Sequence, residues 1–418
     1  MKSLKLINTL KNLPLFIFMF CFQIIYAQKN CNNHTTGLIP ITDLSGKTYR
    51  GYVGGKYTSG NNRPTLQLNR AISQAKKIEP LDTSGKIDKL KGKILFAAIG
   101  ASNPATEFNQ LITFTDTFKS LNPMLRLFNT CVGGTGIQKM NEFSDPYWTQ
   151  ANKKLLDSGY SNKQVQVVWV EQENTQNADT AFPSAALSLM EDYRKLLSVI
   201  YLRFPNVKIV YLNQRAFAGY VDATPGVIGK GLHFPRDYYN GWCIKWLIEK
   251  QLNDVPGFRY SGIPEIPFID WAASFWADGK NPRSDGLSYD CNIDFGGDGL
   301  HLSAIGEKKA ALILFNYFKT DSISKYWFYA NSKSVAGGEI LTKANLNLYP
   351  NPTYKEVNIT GDNPIKISIH SINGQLFYQS SNFQTNYNIQ LDNRPKGLYI
   401  VNCTNENGTH LIRKFAVQ

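Results

Sequence analysis

The chain has 418 residues, of which 13% are aromatic and 18% charged, and its 45 Lys and Arg outnumber 32 Asp and Glu to give a net charge of +13. At roughly 390 residues after removal of a leader it is long enough for more than one buried core. The basic residues are scattered rather than clustered with aromatics, which argues against a nucleic-acid partner and leaves contact with anionic glycan or lipopolysaccharide as the expected use of the surplus.

Lys2, Lys5 and Lys11 precede an apolar run from Leu13 to Ala27, followed by Gln28. A basic start, a short apolar centre and a small residue before a polar one predict a secretory signal peptide over residues 1–27, cleaved after Ala27. The run is short for a membrane span and no second one follows, so the mature chain is expected to lack a transmembrane segment. Residues 28–92 are rich in Gly, Thr and Asn, with one predicted helix around Gln67 to Lys77. They read as an extended arm on the domain that follows.

From 93 to 329, strand-like runs alternate with helical spacing. Ile94 to Ile99, Leu125 to Phe128, Val165 to Val170 and Val207 to Leu212 are apolar on both faces, as strands of a buried parallel sheet are. Thr149 to Ser158 and Ala185 to Phe204 have helical periodicity between them. The expected fold is α/β, a flavodoxin-like three-layer sheet with helices on both faces. Arg215 to Asn292 reads as an aromatic insertion with a helix around Tyr238 to Leu252, and its Trp271, Trp276 and Tyr289 are expected to line a substrate cleft. Five cysteines remain in the mature chain, none at metal-binding spacing, so neither a metal nor another cofactor is expected. Outside the cytoplasm a disulfide can form, and Cys243 with Cys291 is the expected pair.

Residues 330–344 read as a polar linker and 345–418 as a small all-β sandwich. Ile365, Ile367 and Ile369 alternate strictly, and further period-two runs follow between turn residues. The Tyr349-Pro350-Asn351-Pro352 opening and the Gly397-Leu398-Tyr399 strand resemble the C-terminal sorting domain of the type IX secretion system. That resemblance implies export through the periplasm to the surface or the medium, with the secretion machinery as a partner.

Two short segments carry the chemistry. Gly100-Ala101-Ser102 follows the first strand, and Asp298-Gly299-Leu300-His301 lies near the end of the α/β region. A serine hydroxyl attacks an acyl carbon at neutral pH only if an imidazole takes its proton and a carboxylate fixes that imidazole's tautomer. With Asn129-Thr130-Cys131-Val132-Gly133-Gly134 and Glu171-Gln172-Glu173-Asn174-Thr175, these segments resemble, in order, the four blocks of the SGNH (GDSL-like) hydrolases over residues 93–318. The sequence departs from that pattern at Ala101, where Asp is usual, and in the third block, which lacks its glycine and aspartate. The resemblance implies Ser102 as nucleophile, His301 as base, Asp298 as its orienter, and Ser102, Gly134 and Asn174 as oxyanion donors. The expected activity is hydrolysis of a carboxylic ester, an acylated carbohydrate in view of the aromatic insertion. The competing expectation is a glycan-binding exoprotein that has lost activity. Glu171 and Glu173 read as one cleft acid and one structural neighbour.

Overall fold

The computed structural model describes residues 28–222, 228–330, 347–371, 375–392, 394–405 and 410–418. The expected signal peptide and nearly all of the expected linker lie outside them. Five parallel strands form the central sheet: β3 (Ile94–Gly100), β4 (Leu125–Asn129), β5 (Val165–Glu171), β6 (Ile209–Gln214) and β7 (Phe268–Ser274), in the spatial order β4-β3-β5-β6-β7. This is the order of one common doubly wound sheet, with its switch point between β3 and β5. From β3 the chain steps outward to β4 and then returns the other way. Right-handed crossovers therefore put α2 (Ser102–Asp116) on one face, and α3 (Pro146–Asp157), α4 (Ser184–Arg203) and α5 (Arg236–Leu252) on the other. The last helix, α7 (Ala304–Thr320), packs beside α2, and α4 packs against α5. Every residue of β3, β5, β6 and β7 is buried, which is why these strands read as apolar runs without alternation.

Two elements differ from the sequence expectation. The segment after Ser102 is a 15-residue helix, its signal weakened by Asn103, Pro104 and Thr106 in the first turn. The aromatic insertion contains the fifth strand, β7, whose run is interrupted by Asp270. That carboxylate is tolerated in the interior because it accepts from the Tyr57 hydroxyl at 2.8 Å and pairs with Arg63 at 2.8 Å. Both partners lie outside the sheet, in residues 28–92. There the hairpin β1 (Thr48–Tyr49) and β2 (Tyr52–Val53) precede α1 (Thr65–Ala75), and Leu44, Tyr57, Ala71 and Ala75 join the same core as the sheet.

Trp271, Trp276 and Tyr289 are packing residues and not cleft walls, each at most 1% exposed. The indole of Trp276 donates to Asp237, and the Tyr289 hydroxyl donates to the Phe275 carbonyl. The disulfide joins Cys31 to Cys291 rather than Cys243 to Cys291, and Cys243 is buried inside α5 as a free thiol. Sequence proximity favoured the wrong partner, since folding brings the start of the described chain onto the short helix α6 (Cys291–Asp294).

The C-terminal residues form a separate antiparallel body. Its strands are β8 (Asn347–Tyr349), β9 (Glu356–Ser371), β10 (Leu376–Gln379), β11 (Gln384–Gln390), β12 (Gly397–Asn405) and β13 (His410–Val417). The long β9 pairs with β8, β10, β11 and β12, and β12 pairs with β13. Val357, Ile359, Ile365, Ile367, Ile369, Tyr399, Val401 and Phe415 face one core, distinct from that of the α/β body.

Candidate functional site

Ser102 is the first residue of α2, directly beyond the carboxyl end of β3. Its backbone N–H belongs to the helix turn that has no intrahelical acceptor, at the positive end of the helix dipole. The Ser102 hydroxyl lies 2.7 Å from His301 Nε2, and His301 Nδ1 lies 2.6 Å from Asp298 Oδ2. With the proton on Nδ1, the ring donates to Asp298 and accepts from Ser102. The other Asp298 oxygen accepts the backbone N–H of Leu300 at 3.0 Å and of His301 at 2.9 Å. One carboxylate thus folds the tight turn and orients the ring. Partial burial opposes its charge, but the His301 ring and the two backbone donors outweigh burial and hold the carboxyl at about 2.

The turn is braced from several sides. Gly299 has φ +68°, and a Cβ there would stand 2.1 Å from the Tyr220 carbonyl oxygen, so only glycine fits. The Asn103 amide donates to the Leu300 carbonyl at 3.0 Å, tying the serine turn to the histidine turn. Lys29 reaches the same loop through its N–H to the Gly297 carbonyl at 2.7 Å and its ammonium to the Cys291 carbonyl at 3.1 Å. The Cys31–Cys291 bridge lies beside that contact.

Beside Ser102 is a pocket of about 80 Å³, lined among others by Ala101, Asn103, Gly134, Glu171, Arg215 and Leu300. A water needs about 10–15 Å³, so the enclosed part of the space fits a few heavy atoms. Gly134, at φ +73°, lines the pocket with nothing near its Cβ position, so its backbone approaches the space beside Ser102 without obstruction. Among the described residues, no aromatic side chain lines this pocket.

Asn174 is not where the block resemblance puts it. Its amide donates to Asp192 on α4 at 2.8 Å, and its carbonyl oxygen accepts the N–H of Gln176 and of Asn177, each at 3.1 Å. One amide N–H and the carbonyl oxygen are engaged in the tie to the helix and a local turn, and the pocket wall is made by its neighbours Glu173 and Thr175. Ser102 and Gly134 line the pocket, and Asn174 does not.

Glu171 and Glu173, read from the sequence as one cleft acid and one structural neighbour, both line the pocket, whereas sequence reasoning missed Arg215 in its wall and Glu107 beside Glu171. Glu107 of α2 is fully buried, and burial, followed by the charge of Glu171, holds its carboxyl far above the usual range. Glu171 is pushed up to about 7 by burial, against the pull of Arg215 and the Asn213 amide. Burial also raises Glu173, opposed by its 2.7 Å ion pair with Arg236. Arg215, immediately after β6, carried one available signal: a cation at the carboxyl end of a buried parallel strand. Among the described residues there is no group of three or more His, Cys, Asp or Glu side chains that could hold a metal, and no helix long and apolar enough to cross a membrane.

Comparison with known families matches residues 347–418 to the secretion system C-terminal sorting domain. Those residues are a type IX sorting domain. The sorting domain marks the chain as a secreted or cell-surface protein and implies the type IX machinery as its partner. No match is found among curated proteins. Among solved structures, the type IX surface component PorZ of Porphyromonas gingivalis is similar at 22% identity over 19% of this chain, with a TM-score of 0.18. This chain spans only 12% of PorZ. Protein YXIM of Bacillus subtilis is similar at 13% identity over 56% of this chain and 58% of its own, with a TM-score of 0.32. A gut microbial diltiazem-metabolizing enzyme is similar at 10% identity over 78% and 69%, with a TM-score of 0.31. Likenesses this weak say nothing about the chemistry at Ser102.

Proposed function

We propose that this protein is a secreted serine esterase of SGNH type that cleaves a short-chain acyl ester. The observation that carries this reading is the unbroken hydrogen-bonded chain Ser102–His301–Asp298 at the mouth of a small pocket. In the first step Ser102 Oγ bonds to the ester carbonyl carbon while its proton passes to His301 Nε2. Asp298, ionised throughout the neutral range, stabilises the imidazolium that results. The carbonyl oxygen takes up negative charge facing the Ser102 and Gly134 N–H groups, at the positive end of α2. Collapse of the tetrahedral species breaks the bond to the alcohol, which leaves with the proton from Nε2. Water then attacks the acyl-serine, giving its proton to the same nitrogen, and release of the acid restores Ser102.

The test combines p-nitrophenyl acetate turnover with labelling by a fluorophosphonate probe. Labelling at Ser102 and loss of turnover in Ser102→Ala are expected. An unlabelled protein that still binds acylated glycan would replace the esterase reading with that of a glycan-binding exoprotein.

A further inference from the structure

The Arg215 side chain, 5% exposed, has no hydrogen-bond or ion-pair partner among the described residues, and its Nη1 is wholly enclosed. A buried guanidinium that makes no hydrogen bond is costly, because its N–H donors and full charge have left water for no more than the charge attraction of nearby carboxyls. Those carboxyls give it no hydrogen bond. Glu173 is already bound to Arg236 at 2.7 Å. One oxygen of Glu171 accepts from the Asn213 amide at 2.9 Å. Glu107 and Glu171 crowd one another, which favours a proton on the pair and reduces the negative charge near Arg215. Arg215 nevertheless lines the pocket that Ser102 lines.

We propose that Arg215 is a specificity residue that pairs with a carboxylate on the substrate, so that the pocket selects acidic esters over neutral ones. Guanidinium and carboxylate match in shape and charge, and a two-pronged pair in a site shielded from water is stronger than a bond to a neutral hydroxyl. The carboxylate can sit on the alcohol side, as in an acylated uronic acid, or on the acyl side, as in a half-ester of a short dicarboxylic acid. The proposal rests on the esterase reading for its biological meaning, but its test does not need turnover.

Binding of glucuronate, of glucose, of succinate and of neutral succinamide is measured by calorimetry on the Ser102→Ala protein. The acid of at least one pair is expected to bind ten-fold or more tightly than its neutral counterpart, and the pair that discriminates identifies the side bearing the carboxylate. Adding Arg215→Gln should reduce that ratio to near one. Adding Arg215→Lys, which keeps the charge but loses the planar fork, should leave an intermediate ratio. Equal binding of acid and neutral partner in both pairs overturns the proposal, as does a ratio that survives in Arg215→Gln. If Arg215→Gln does not fold, the ratios in the Ser102→Ala and Arg215→Lys proteins decide. Failure of the esterase reading shows separately, as absence of p-nitrophenyl acetate turnover in the unmodified protein.

Discussion

Replacing Asp298 by Asn tests the site because the side chain has two distinct tasks. Its Oδ1 accepts two backbone N–H groups, so the Asn carbonyl oxygen must take that seat. The new NH2 group then faces His301 Nδ1, where the ring now donates across 2.6 Å. Two donors cannot bond, and the ring escapes by moving its proton to Nε2, where it donates to Ser102 instead of accepting. The loss combines a charge-assisted hydrogen bond, about 1.5–3 kcal/mol, with the cost of restoring the productive tautomer, and totals about 4–5 kcal/mol. That corresponds to a fall in kcat of about 10³ to 10⁴. Asp298→Ala leaves the ring free to choose either tautomer and should retain more activity than Asp298→Asn, although it melts lower because the turn loses its acceptor. The assay is p-nitrophenyl acetate turnover beside a thermal melt. Asp298→Asn with more than a tenth of wild-type kcat, or with less activity lost than in Asp298→Ala, refutes the orienting role.

Asn174→Ala removes three hydrogen bonds and should cost about 2–3 kcal/mol in denaturant unfolding. A large fall in kcat at unchanged stability would instead return Asn174 to the oxyanion. Stability should also depend on Glu171. Its folded value of about 7 lies above the ordinary 4.5, so its contribution is fully present below pH 4.5 and is lost as pH rises through 7. Glu171→Gln should therefore flatten the decline in melting temperature between pH 5 and pH 8, and an unchanged decline would show that another group causes it. Reduction of Cys31–Cys291 should destabilise the protein by about 2–5 kcal/mol and lower turnover with it, because the bridge braces the loop carrying Asp298 and His301. Turnover that is untouched after verified reduction would show the loop to be held by Lys29 and Asn103 alone. A chain ending at Tyr329 should keep full esterase activity, since the two bodies have separate cores, but should remain in the periplasm of the native host. Its appearance at the surface at wild-type levels would overturn the sorting role.

The sequence by itself determined the parts that depend on local order. Runs such as Val167 to Val170, short, β-branched and apolar on both faces, match buried parallel strands, and period-two Ile365, Ile367 and Ile369 match a sheet with one buried face. The Asp298 turn was legible for the same reason, because its acceptor and donors lie within four residues. What spans long sequence distances was decided by the tertiary structure. Ser102 meets His301 across 199 positions, Asp270 becomes a strand residue only because Arg63 and Tyr57 reach it from the arm, and Cys31 takes Cys291 from 260 positions away. Asn174 shows the limit from the other side. Its place in a short block suggested an oxyanion donor, but an amide bonds to whatever acceptor the fold presents first, and Asp192 of α4 stands 2.8 Å away. Arg215 follows the same rule, since a cation at a strand end is an ordinary surface feature until the packing of neighbouring elements encloses it beside Ser102 and leaves it without a hydrogen bond.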